Sequence, residues 1–319
     1  MNHVPFRRGR FDELPELPRK PHPYFSTASR TITVDSKPFG AVRVHLREHG
    51  AGPPLLLVHG LMTSSYSWRY VLDELGAKFR LFVPDLPGSG ESGMPDVPYT
   101  APAYATFLGE LVDALSIRGC AVIGNSLGGH LAMRLALRDP SAMSRLAVIH
   151  SPGVPDLRYR ALAIASAIPF VKPLVERTIL RDPYRWVHRN VHYWDESLKS
   201  LEEARAYGKP LSTREGAHAF VRILTEVLRP DAVADFVRML AERRDRGEGF
   251  PVPLAFVYAR EDPMVPPRVG EALARLVPSA SFSWLEDTSH FAHVDSPERL
   301  VASVLPFLVA ANALPCPAQ

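Results

Sequence analysis

Cysteine is nearly missing from this chain: its 319 residues include only Cys120 and Cys316. Two cysteines with no clustered histidine or acidic neighbours supply neither a disulfide framework nor a four-ligand zinc site. A reducing, cytoplasmic setting is therefore expected. No charge of one sign prevails either, since 37 Lys+Arg face 34 Asp+Glu. The basic residues are scattered rather than gathered into a stripe with interleaved aromatics, so nucleic acid is not an expected partner. No run reaches the roughly 18 apolar residues that a membrane-spanning helix needs; the nearest, residues 161–175, is broken by Pro169, Lys172 and Pro173. At the N-terminus Arg7 and Arg8 precede no apolar stretch, and Asp12, Glu13 and Glu16 speak against a transit peptide, so an untargeted start is expected. Internal repeats and low-complexity tracts are absent too. What is present, 46% hydrophobic and 22% charged residues, is an ordinary globular composition. The length suits one large domain carrying an insertion.

Residues 1–30 are rich in Pro and Arg, show no periodicity, and read as an irregular extension. From Thr31 the pattern becomes β-branched alternation, TITVD and then AVRVHLRE, around the turn-prone SKPFG, which predicts two strands joined by a tight turn. Short, nearly continuous apolar runs follow: LLLVH, LFVPD, CAVIGN, LAVIHS, LAFVYA and FSWLED. Such runs fit parallel strands covered on both faces. Helical spacing lies between them at 66–75, 104–115, 127–137, 269–276 and 297–309. The alternation argues for an α/β fold with a mostly parallel sheet and helices on both faces. Over 154–250 helical patterning runs on without a convincing strand, so this segment reads as an inserted helical lid on a core of 31–153 and 251–312.

The sharpest chemical signal is Gly124-Asn125-Ser126-Leu127-Gly128-Gly129, which follows an apolar strand and opens a helix. In a G-x-S-x-G elbow the serine occupies a strained strand-to-helix turn, and the flanking glycines give the backbone room. The N–H of Leu127 would lie at the helix N-terminus, where unpaired donors and the helix dipole favour a developing negative charge. A second donor is expected from the loop after LLLV, at Leu61 in His59-Gly60-Leu61-Met62, with His59 bracing that loop. A serine needs a base oriented by a carboxylate. Among twelve histidines His290 is favoured over His293 because it sits nearer the end of the strand FSWLED. Asp262, directly after LAFVYA, is the expected acid, and Glu261 beside it a surface group.

These residues, with DLPGSGES and SHFAHVDSP, resemble the α/β-hydrolase superfamily over roughly residues 31–310, in the lid-bearing branch of esterases, carbon–carbon bond hydrolases, epoxide hydrolases and haloalkane dehalogenases. The resemblance implies an eight-stranded, mostly parallel sheet with the lid inserted after the sixth strand. Epoxide hydrolases and dehalogenases carry aspartate at the elbow, where this chain has Ser126. Water opens an alkyl ester of aspartate but not a serine ether, so those reactions are disfavoured. The elbow is similar to that of hydrolases that cleave ring-fission products, yet their H-G-x-G-P-G loop is absent and Phe291 stands where they usually have tryptophan.

The expectation is a serine hydrolase of hydrophobic carboxylic esters that uses Ser126, Asp262 and His290, with the Leu61 and Leu127 N–H groups holding the oxyanion. This chemistry requires no metal or organic cofactor. Candidate substrate contacts are His59, Tyr66, Trp68, Asn125, Val265 and Phe291. The lid adds the apolar ALAIASAIPFVKPLV and the aromatics Trp186, Tyr193, Trp194, Phe220 and Phe236, which suit a hydrophobic ligand or simply pack the lid. Carbon–carbon cleavage of a vinylogous diketone, acyl transfer and non-catalytic ligand reception remain as alternatives.

Overall fold

The paired β-branched runs near the start form a hairpin, β1 (Ala28–Ser36) and β2 (Gly40–His49), with Ile32 opposite Val44 and Val34 opposite Val42. Gly40 closes the turn at φ +69°, in the left-handed region that glycine enters without steric cost. In the computed structural model, which describes residues 4–310, β1 begins at Ala28 rather than Thr31. Ser29 and Arg30 pair with Arg47 and Leu46 across the hairpin, and a polar stretch at the sheet edge gives no apolar alternation to read. Cys316 and the expected core boundary at 312 lie outside the described residues.

The apolar runs become β3 (Pro54–Val58), β4 (Arg80–Pro84), β5 (Cys120–Asn125), β6 (Met143–Ile149), β7 (Leu254–Ala259) and β8 (Ser281–Leu285). They complete one eight-stranded sheet in the order β1-β2-β4-β3-β5-β6-β7-β8. β2 runs antiparallel to β1 and β4, and the remaining pairs are parallel. Every residue of β5 and β7 is buried, as expected for strands with helices on both faces. The core helices are α1 (Leu72–Gly76), α2 (Ala101–Ala114) and α3 (Leu127–Arg138). The spacing over 66–75 predicts one helix, but the chain makes a 3-10 turn at Ser65–Trp68 before α1. There the Ser64 hydroxyl accepts from the Tyr66 N–H and the Asp85 carboxylate from the Ser65 N–H, which fixes the turn.

Between β6 and β7 the chain forms α4 (Leu157–Ala167), α5 (Val171–Arg181), α6 (Pro183–Asn190), α7 (Leu201–Leu211), α8 (Arg214–Glu226) and α9 (Pro230–Asp245). Asp156, Asp182, Ser200 and Thr213 cap four of these helices through their side-chain oxygens. The chain returns through α10 (Pro267–Leu276), α11 (Ala292–Asp295) and α12 (Pro297–Val309). Among the described residues no helix is long and apolar enough to cross a membrane.

The N-terminal segment is a strap across α6 and α7. The Phe6 N–H donates to Trp194 O, and the Leu201 and Glu202 N–H groups donate to Pro15 O and Glu16 O. Asp12 pairs with Arg185, Glu16 with Arg205, His22 with Glu202 and Lys20 with Glu298 of α12. Three backbone hydrogen bonds at about 1 kcal/mol each outweigh the exposed ion pairs. A chain beginning at Tyr24 is therefore expected to lose about 3 kcal/mol of stability, read from its urea midpoint. Its α6–α7 segment is expected to become sensitive to limited proteolysis.

Candidate active site

Ser126 stands between β5 and α3 at φ 52°, ψ −120°, a conformation that L-residues adopt only when the surroundings enforce it. The enforcement is close packing. A Cβ on Gly128 would lie 2.2 Å from Val58 O, and one on Gly124 would lie 2.6 Å from the Gly129 backbone. The Ser126 N–H donates to Ile149 O at 2.7 Å, tying the elbow to the end of β6. Leu127 opens α3, so its N–H has no partner within the helix. Leu61 follows Gly60 in the turn after β3 and lines the same cavity as Ser126 and Leu127.

His290 lies in the loop between β8 and α11, where its Nδ1 is 2.7 Å from Asp262 Oδ2. The other carboxylate oxygen of Asp262 accepts the Met264 and Val265 N–H groups at 2.7 and 2.9 Å. Burial alone would raise the pKa of Asp262, but the charge and hydrogen bond of His290 outweigh it and hold the carboxyl below its ordinary range. The expected acid and base are thus brought together. Ser126 and His290 face one cavity of about 330 Å³, with an apolar lining that includes Leu162, Trp186, Phe220 and Leu224 from the lid. His293 is buried instead against Trp68, ring centres 4.7 Å apart.

The candidate substrate contacts divide. Val265 and Phe291 line the cavity. His59 does not: its Nδ1 bonds Gly60 O at 2.8 Å and its Nε2 accepts the Leu86 N–H at 2.9 Å, so it is a neutral brace for the Leu61 loop. Asn125 is buried and donates to His290 O at 3.3 Å, linking the elbow to the base loop. Neither Tyr66 nor Trp68 lines the cavity: Trp68 is buried against His293 of α11, and Tyr66 packs at the core–lid interface. Tyr66 Oη donates to Glu202 at 2.6 Å, on a separate open cleft of about 740 Å³ lined also by Arg47 and Lys209. Beside it the fully buried Arg69 pairs with Glu203 of α7 at 2.7 Å, and Tyr193 Oη donates to the same carboxylate. Phe236 packs on His130 rather than in the cavity.

Other residues at the site gave no sequence signal. His150, at the end of β6 and fully buried, presents a ring nitrogen within 4.8 Å of the Asp262 and His290 ligand atoms. Burial lowers its pKa to about 4, although Asp262 opposes the shift. Asp295 accepts from the N–H and hydroxyl of Ser289, which precedes His290, and burial pushes its pKa up to about 6. From the lid, Arg158 and Tyr159 also reach the cavity wall, a placement no motif announces.

The chain belongs to the alpha/beta hydrolase family, whose pattern matches residues 55–303. Among curated proteins it is similar to the 2-hydroxymuconate semialdehyde hydrolase of Pseudomonas sp. (strain CF600), 26% identical over 85% of this chain and 92% of that one. It is equally similar to the pimeloyl-[acyl-carrier protein] methyl ester esterase of Vibrio vulnificus, 26% identical over 83% of this chain and 97% of that one. Among solved structures, Cfl2 from Burkholderia cenocepacia shares the fold with a TM-score of 0.74 at 22% identity, covering 92% of this chain and 99% of that one.

Proposed function

We propose that this hydrolase cleaves carboxylic esters of hydrophobic small molecules through an acyl-enzyme. The observation that carries the reading is a strained elbow serine facing one apolar cavity with a histidine bonded to a buried carboxylate. Ser126 Oγ attacks the ester carbonyl while His290 Nε2 takes its proton. Asp262 holds the Nδ1–H tautomer and stabilises the imidazolium. The Leu61 and Leu127 N–H groups hold the oxyanion, where donors are worth most because charge appears only as the transition state forms. His290 returns the proton to the leaving alcohol, then activates water to free the acyl group from Ser126.

At about 330 Å³ the cavity is at the small end for ligand sites. On nitrophenyl esters kcat/KM is expected to rise about threefold to fourfold per added CH₂, then fall beyond about four to eight acyl carbons. Stopped-flow turnover across the acyl series tests this. A single acylation burst without turnover would move the reading to acyl transfer or ligand reception.

The second reading is hydrolysis of a carbon–carbon bond, supported by the similarity to 2-hydroxymuconate semialdehyde hydrolase and by the G-N-S-x-G-G elbow. A vinylogous diketone turned over much faster than every ester would establish it over the first.

A further inference from the structure

Helix α4 has no buried residue, although its sequence is mostly apolar. Leu157 is 78% exposed and Ile164 71%, and with Ala161 they fall at spacings of four and three on one helical stripe; Ile168, the extended residue that ends α4, is 43% exposed. Beyond it Phe170, which precedes α5, is 73% exposed and Leu174 on α5 is 64% exposed. The same face of α5 then turns basic with Arg177 and Arg181, both exposed. Arg160 stands on the outer side of α4 and Lys172 at the start of α5. Arg160, Lys172, Arg177 and Arg181 make no ion pair among the described residues. The one acid on the two helices, Glu176, is held by His218 at 2.8 Å.

We infer that the α4–α5 hairpin docks on an anionic phospholipid surface. An apolar ridge bordered by unpaired cations matches such a surface twice over. The ridge enters the acyl boundary, and the long Arg and Lys stems reach back to the phosphates. A second copy of this chain fits less well, because a two-fold contact through this face would set cation against cation around the ridge. The opposite side of α4 contributes Arg158, Tyr159 and Leu162 to the cavity that holds Ser126. Docking would therefore place the cavity one helix thickness from the lipid boundary. The inference stands whether or not the ester reading does, since it uses no residue of that chemistry.

The test is co-sedimentation of the full chain with vesicles of phosphatidylcholine alone and of phosphatidylcholine mixed with phosphatidylglycerol. Binding is expected only to the anionic vesicles, weakening as salt is added. Ile164→Ser with Phe170→Ser is expected to weaken it at least tenfold. Arg160→Glu with Arg177→Glu should remove the preference for phosphatidylglycerol, at about fivefold per cation. These side chains are exposed and outside the cavity, so circular dichroism and turnover of a water-soluble ester should match the parent chain. Equal binding to neutral vesicles, or unchanged binding by both double variants, overturns the inference. Self-association without lipid that Phe170→Ser abolishes would also overturn it, assigning the ridge to a second copy.

Discussion

Ser126→Ala is expected to lower kcat on the best nitrophenyl ester by about a million-fold, leaving KM within a few-fold of the parent. The size follows from the unit character of the site. Without Oγ the His290–Asp262 pair has no proton to take, so most of its contribution is lost with the serine's. What survives is the share of the oxyanion donors and of binding, because the Leu61 and Leu127 loops are set by glycine contacts and by the His59 brace rather than by the hydroxyl. The backbone at 126 is left-handed for alanine as for serine, so the change costs little fold stability, and matching thermal unfolding separates lost chemistry from lost structure. A fluorophosphonate probe should label the parent and not the variant. Turnover retained within tenfold would remove Ser126 from the mechanism and, with it, the acyl-enzyme.

Much of this fold is legible because parallel strands covered on both sides leave unbroken apolar runs, and LLLV, CAVIGN and LAFVYA could have few other fates. The elbow is legible for a different reason. Gly124, Gly128 and Gly129 are each pressed against backbone, so the chemistry writes itself into residue type at fixed spacing. Asp262 and His290 could be placed because each follows a strand directly. Tyr66 and Trp68 could be read either way, because an aromatic beside an oxyanion loop looks the same whether it faces a ligand, an inserted helix or the core. Only the approach of Glu202, Glu203 and His293 from distant segments decides. The strap was illegible likewise: it is held by backbone carbonyls and by ion pairs about 170 to 280 residues apart in sequence, which no periodicity records.

Acid is expected to destabilise this chain already above the range set by its surface carboxylates, through histidines that the fold keeps neutral. Burial lowers His130 to a pKa of about 3, with the Arg134 guanidinium adding to the effect, and His150 to about 4. Burial carries His293 well below the ordinary value, and His22 and His188 move the same way. In the unfolded chain each binds a proton below about pH 6.5, whereas in the folded chain each binds it only at lower pH. The unfolded state thus holds more protons in that window, so stability falls as pH falls. Three carboxyls oppose the trend, one of them Glu261, raised by burial and by the charge of Glu286. Asp295, at about 6, and Glu203, also raised by burial, take up protons in the folded state before they would unfolded. His130 and His150 together bind about two more protons unfolded than folded between about pH 6 and pH 4.5, and Asp295 takes back about one, so these three leave about one proton, or about 1.4 kcal/mol per pH unit. Over that window the loss is about 2 kcal/mol, a sizeable share of a typical total of about 5–15 kcal/mol. Urea midpoints measured across this range read the slope directly. His130→Gln, whose amide oxygen can still accept from Arg134 Nε, should flatten it by about one proton, whereas a slope equal to the parent's would show that His130 is not among the groups that refuse protons.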